Sequence, residues 1–177
     1  MTACVSSLLF TISIGGRRIC NLRFEDDIDL LAGSNTELQD LTDKLTESTG
    51  SFGMEVSTEK SKVMVNSRDE THAVIFMNGE QLEEVDTFTY LGGTITKDGT
   101  SRTEVQKRIA MATSAMARLS RIWKSNNISF TVKYKLYKTL VVSILLYGCE
   151  TWTLLASTER KIQAFEMKCM RKLLHIS

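Results

Sequence analysis

Apolar positions come in short alternating runs up to about residue 100 and at helical spacing after it. Ile14 to Ile19 brackets Gly15-Gly16, a hairpin signal. Cys20 to Leu31 then reads as a strand, and period-two alternation puts Phe24, Asp26, Ile28 and Leu30 on one face. A turn at Asp26-Asp27 is the alternative, and it would lift both carboxylates to a hairpin tip. Ser34-Asn35-Thr36-Glu37 reads as a capping box opening a helix with Leu38, Leu41 and Leu45 on one side, ended by Gly50 and Gly53. Met54 to Val56 and Ser61 to Val65 read as short strands. Asn78-Gly79 between His72–Met77 and Glu80–Val85 predicts a type I′ hairpin, and Phe88 to Leu91 adds a strand broken by Gly92-Gly93.

After Gly99 the period changes. Ser101-Arg102-Thr103-Glu104 reads as a second capping box. Val105, Ile109, Ala112, Met116, Leu119 and Trp123 follow as one helical stripe, ended by Asn126-Asn127. Ser129 is placed to cap a second helix with Val132, Leu136, Leu140 and Ile144 inward, closed by Gly148. Ser157 is placed to cap a third with Ile162, Phe165, Cys169 and Leu173 inward. The reading is an α+β chain: a sheet-and-helix unit over residues 1–100, then a three-helix unit over 101–177.

Composition changes the picture in one respect. The 177 residues carry a net charge of only +1, but the charge is divided. Residues 1–100 hold eight Lys and Arg against seventeen Asp and Glu, a net of −9, and residues 101–177 hold fourteen against four, a net of +10. An acidic, metal-using part beside a basic, polyanion-holding part fits that asymmetry. Two mutually attracting solvated surfaces fit it as well. Cys4, Cys20, Cys149 and Cys169 form no CxxC, which argues against zinc and for reduced thiols in an intracellular protein. The apolar opening MTACVSSLLFTISI has no basic region before it and is too short to span a bilayer, so neither secretion nor a membrane partner is expected.

The acidic half contains the sharpest chemical signal. Glu25, Asp26, Asp27 and Asp29 lie within five positions of an apolar run. Such carboxylates repel unless something positive compensates, and paired carboxylates at a strand end suit divalent metal in two-metal phosphoryl transfer. An acidic exposed turn is the plainer reading. In the basic half, Arg118, Arg121, Lys124, Lys133, Lys135 and Lys138 flank the first inter-helix turn. They suit phosphate contacts that track a backbone without reading sequence; ordinary helix-surface cations are the alternative.

Four segments in order resemble the C-terminal part of a reverse transcriptase from a non-LTR (LINE-type) retrotransposon. NLRFEDDIDLLAGS resembles the F-x-D-D motif, GMEVSTEKSKVMV the palm motif after it, FTYLGGTIT the primer-grip hairpin and LLYGCETWTL a signature of the thumb region. The resemblance runs from about residue 14 to residue 177. It implies a partial polymerase palm, an antiparallel sheet with one or more helices, followed by a thumb-like helical unit. It also implies an RNA-directed DNA polymerase ancestry, with Asp26 and Asp27 as metal-binding carboxylates for Mg²⁺ and Lys60 near the incoming triphosphate. Tyr90, Leu91 and Gly92 would form the primer grip, and an RNA template with a DNA primer would be the partners.

Two departures matter. The x position is commonly small, whereas this chain has Glu25. The family's first metal-binding aspartate lies on an earlier palm strand, and no acid precedes Glu25 here. The expectation is therefore a truncated reverse transcriptase that is inactive alone and binds Mg²⁺ weakly or not at all, in a nuclear or cytoplasmic setting. The alternatives are a non-catalytic module binding duplexes non-specifically through the basic helices, and a helical interaction fragment. A palm without its first strands leaves an open sheet edge, so self-association is expected as well.

Overall fold

The computed structural model describes residues 2–9, 12–65 and 72–176, with backbone alone at 2–9, 12 and 14. The chain forms two compact units, Met1–Gly99 and Thr100–Ser177. No helix among the described residues is long and apolar enough to cross a membrane.

The first unit is built on a mixed sheet. β1 (Thr2–Leu9) runs parallel to β5 (Asp27–Ala32), β6 (Glu55–Val56) and β7 (Lys62–Val65). β4 (Asn21–Phe24) pairs antiparallel with β5 and forms one edge. The short β10 (Glu83–Glu84) runs parallel to β7 at the other. The sheet is therefore not the antiparallel one the sequence suggested. α1 (Asn35–Ser51) carries the chain from β5 over to β6 and β7, and a helical crossover returns the chain in the same direction, whereas a tight turn reverses it. β1 reaches its parallel partner β5 through β2 (Ile12–Ile14), β3 (Arg17–Ile19) and β4.

Three two-residue turns join short hairpins, two at the pairs read from the sequence and the third one residue earlier than Gly92-Gly93. β2 and β3 join through Gly15-Gly16. β8 (Phe76–Met77) and β9 (Glu80–Gln81) join through Asn78-Gly79, with φ of 52° and 79°, the doubly left-handed turn that matches strand twist. β11 (Thr87–Tyr90) and β12 (Gly93–Thr96) join through Leu91-Gly92, again with positive φ at both residues.

The cap of α1 is close to the one expected. The Glu37 backbone N–H donates to Ser34 Oγ, while the Glu37 carboxylate accepts from the Gly33 N–H rather than from Ser34. Leu38, Thr42, Leu45 and Thr49 are its buried stripe. They pack with Leu30, Ala32, Val56, Val63 and Val65 on one face of the sheet. On the opposite face Leu31 and Met64 are covered by Ile19, Phe88 and Ile95, so β11 and β12 lie over that side.

The second unit packs α2 (Arg102–Arg118), α3 (Ser120–Lys124), α4 (Phe130–Leu136), a π-helical segment Tyr137–Val142, α5 (Ser143–Leu145), a 3₁₀ turn Cys149–Thr151 and α6 (Ala156–Leu173). Val105, Ala112, Met116 and Trp123 are buried as their spacing predicts, and the Trp123 indole donates to Met116 O at 2.9 Å. The next helical stretch is displaced by one residue. Lys133, Tyr137, Val141 and Leu145 are buried, Leu136 and Ile144 are half-buried against the same core as expected, and Val132 and Leu140 are exposed. A strict four-residue spacing drifts about 40° per step around an α-helix. The π segment takes in more residues per turn and holds that spacing inward.

Two caps also differ from expectation. Ser101 Oγ accepts from the Thr153 N–H at 2.8 Å and makes no cap bond, and Glu104 is engaged by Arg108 instead. Leu155 occupies the cap position of α6, leaving Ser157 inside the first turn.

Candidate functional site

The F-x-D-D residues form the tip of the β4–β5 hairpin. Phe24 pairs with Asp27, so Glu25 and Asp26 are the two turn residues, one position earlier than the turn read from sequence. Glu25 has a φ of 51°, in the left-handed region that a small residue enters more cheaply. Asp26 is exposed in the turn and Asp27 is half-buried at the start of β5. The one-residue difference takes Asp26 out of the strand and leaves the alternation of β5 as read. Ile28, Leu30 and Ala32 turn towards α1, and Asp27, Asp29 and Leu31 occupy the other side.

Asp29 belongs to the acidic cluster of the sequence, which assigns it no role. Its side chain is buried, at 2% exposure, and its Oδ1 has no hydrogen-bond partner among the described residues. Burial pushes the carboxyl up to about 7, and the negative charge of Asp27 adds to that. An acid two positions after Asp27 on an alternating strand was the signal available.

Tyr90 ends β11, two residues beyond the Phe88 that packs against Leu31 and Met64. Its phenol is raised by burial and by the negative charges of Asp29 and Asp27. Leu91 and Gly92 form the adjoining turn. The hairpin tip and the Tyr90-Leu91-Gly92 turn thus belong to the same side of one sheet. Lys60 is exposed in the turn 58–60 just before β7, where its N–H meets Ser57 Oγ at 3.4 Å.

The chemistry available is that of two adjacent carboxylates with a third, buried one behind them. Asp26 and Asp27 offer oxygen ligands of the type divalent cations take. No cluster of three or more His, Cys, Asp or Glu side chains suited to a metal ion occurs among the described residues.

In the second unit Arg118, Arg121, Lys124, Lys135 and Lys138 are exposed. Lys133 is not. Its ammonium is buried, donates to Trp123 O at 2.9 Å and meets His175 Nε2 at 3.3 Å. It anchors helix ends inside the fold and is not presented to a ligand. In the LLYGCETWTL segment, Gly148 has a φ of 70° and Tyr147 lies beneath the Arg108 guanidinium.

Comparison with known proteins finds one informative similarity. The chain is 28% identical over 170 residues to an uncharacterized transposon-derived protein of Caenorhabditis elegans, covering 93% of this chain and 60% of that protein. The chain thus spans about 60% of the length of the curated relative it matches. No family model matches, and no solved structure matches. The similarity supports an origin in a transposable element.

Proposed function

We propose that this chain is the rear palm and thumb portion of a non-LTR reverse transcriptase, a nucleic-acid-binding remnant of an RNA-directed DNA polymerase that does not polymerise alone. One observation carries the reading. The paired acids of F-x-D-D stand at a β-hairpin tip, and the Tyr90-Leu91-Gly92 turn follows a strand laid over the same sheet face.

In this reading Asp26 and Asp27 hold Mg²⁺ in the complete enzyme. The bound ion supplies acidification of the primer 3′-hydroxyl and neutralisation of the triphosphate. Asp26, in the turn, presents its carboxylate outward, and Asp27, fixed in the β5 ladder, sets the direction of the pair. Tyr90-Leu91-Gly92 positions the primer end from the neighbouring hairpin, and Lys60 offsets phosphate charge. Arg118, Arg121, Lys124, Lys135 and Lys138 hold the template-primer backbone from the helical unit.

Inactivity follows from electrostatics. Two carboxylates are a partial site, and each lost preorganised group costs roughly 10²–10³ in rate. Primer extension on an RNA template with Mg²⁺ tests this. No extension above background is expected, alongside binding that weakens with rising salt. Extension abolished by Asp26→Ala would overturn inactivity, and the absence of salt-sensitive binding would overturn the nucleic-acid reading.

A second reading, a binding module with no enzymatic ancestry in use, is favoured by the absence of any Asp or Glu between Glu104 and Glu150. Metal dependence separates the two. A polymerase remnant shows Mg²⁺-dependent changes at the hairpin that are lost on removal of Asp26 and Asp27, and a plain module shows no Mg²⁺ dependence.

A further inference from the structure

From Val105 to Cys149 the chain carries eight Lys and Arg and no Asp or Glu. The centre of that stretch, FTVKYKLYK, interleaves aromatic rings with lysines. Phe130 and Tyr134 lie one turn apart on α4 with their rings stacked, 5.9 Å between centroids and 20° between planes. Tyr134 is in turn 6.3 Å from the ring of Tyr137. The three differ in depth. Tyr137 is buried at 2% exposure, whereas Phe130 and Tyr134 are 48% and 41% exposed. They form a ladder rooted in the core that ends in two open rings.

Cationic elements are gathered around this ladder. Lys133, one residue before Tyr134, binds the carbonyl of Trp123 near the end of α3 and meets His175 just beyond the end of α6. It therefore brings Lys124, which follows Trp123, and Arg171 and Lys172, in the last turn of α6, close to the start of α4. Lys135 and Lys138 are exposed on the same helical stretch.

We propose that Phe130 and Tyr134 are a stacking platform for unpaired bases of a nucleic-acid strand, with Lys124, Lys135, Lys138 and Lys172 on its phosphates. It rests on reading this half as a nucleic-acid contact, and it specifies what is recognised. Aromatic faces gain from bases whose own faces are open, and a duplex conceals them. The Tyr137 root and the Ser129 cap, whose Oγ accepts from the Val132 N–H, hold the helix in place, so little order need be lost on binding. The exposed faces are apolar, yet the excess of cations along Val105–Cys149 selects a polyanion over an apolar partner, with Glu166 of α6 the carboxylate that reaches the Tyr137 root.

The test uses the full chain and fluorescence anisotropy with three probes: a single-stranded 20-mer of thymidine, an abasic strand of equal length and a 20-base-pair duplex. Wild type is expected to bind the thymidine strand about ten-fold or more tighter than the abasic strand. Phe130→Leu with Tyr134→Leu keeps apolar bulk and removes stacking. It is expected to erase that ten-fold difference while leaving abasic affinity, salt slope and melting temperature unchanged. Lys135→Ala with Lys138→Ala should instead lower the salt slope on all probes. Equal wild-type affinity for thymidine and abasic strands, with salt dependence intact, would overturn the platform and leave the nucleic-acid reading standing. Tighter binding to the duplex would also overturn it. No salt-sensitive binding to any probe would overturn both.

Discussion

The guanidinium of Arg108 lies 4.4 Å from the centre of the Tyr147 ring. The same guanidinium is paired with Glu104 one turn back, and both charged residues are buried, at 6% and 4% exposure. A helix interior thus contains a charge pair, and a residue of the LLYGCETWTL segment covers it.

Removing one partner of such a pair leaves the other charged and desolvated. Arg108→Ala is expected to destabilise the second unit by roughly 3–5 kcal/mol, and Glu104→Gln on that background to restore part of the loss. Urea unfolding of the two variants measures both. Tyr147→Leu, which removes only the ring face, should cost about 1 kcal/mol.

Asp29 gives the first unit a definite pH dependence. Its carboxyl is raised in the folded chain to about 7 from 3.8, so the fold holds a proton that the unfolded chain releases. Stability should therefore be fullest below about pH 4, fall as pH rises from about 4 to about 7, and level off above that. Asp29→Asn removes the slope and is expected to stabilise the chain at pH 8 by on the order of 3 kcal/mol. Thermal melts from pH 4 to pH 8 decide it, and an unchanged slope in the variant would count against the assignment.

The hairpin tip is strained at a single position. Glu25 occupies the left-handed region at φ 51°. Glycine enters that region without Cβ crowding, and β-branched residues enter it with difficulty. Glu25→Gly should melt no lower than wild type, and Glu25→Val should lie about 1–2 kcal/mol below it.

Two thiols should react at different speeds. Cys149 is exposed, and Cys169 is buried. Burial pushes the Cys169 thiol up to about 11 although Lys172 and Lys168 pull the other way. At pH 8 a thiol reagent should label Cys149 within minutes and Cys169 only as the chain unfolds. Peptide mapping of the labelled protein distinguishes the two.

The sheet ends in an exposed strand. β4 is an edge, and Leu22 and Phe24 on it are 39% and 53% exposed. Self-association by strand addition is expected there. Sedimentation should show a concentration-dependent dimer that Leu22→Lys with Phe24→Lys returns to monomer.

The helices were legible in the chain wherever one face had to meet a core. The stripe of α2 and α3 from Val105 to Trp123 follows its apolar spacing, and so does Phe165-Cys169-Leu173. The tight turns were legible too, because Gly15-Gly16 and Asn78-Gly79 accept the left-handed backbone such turns need. Three features were hidden, each for a physical reason. The one-residue shift in the F-x-D-D hairpin depends on Glu25 accepting a left-handed backbone that its side chain disfavours. The buried Lys133 reads as a surface cation until the carbonyl of Trp123 is brought to it by folding. The parallel pairing of β1 with β5 and β7 is set by connections that run through several intervening elements, which no local pattern encodes. The candidate site shares these limits. Asp26 and Asp27 stand out by type, whereas the burial of Asp29 depends on what folding lays over its face of the sheet.

The π-helical segment Tyr137–Val142 has a consequence for how this chain can vary. A helix with one surplus residue in its winding can give that residue up and close into ordinary α geometry, with the side chains before and after it keeping their orientation. Shortening by a single codon inside this segment would leave Tyr137 and Leu145 facing the interior, whereas the same deletion within α2 would rotate everything downstream out of register.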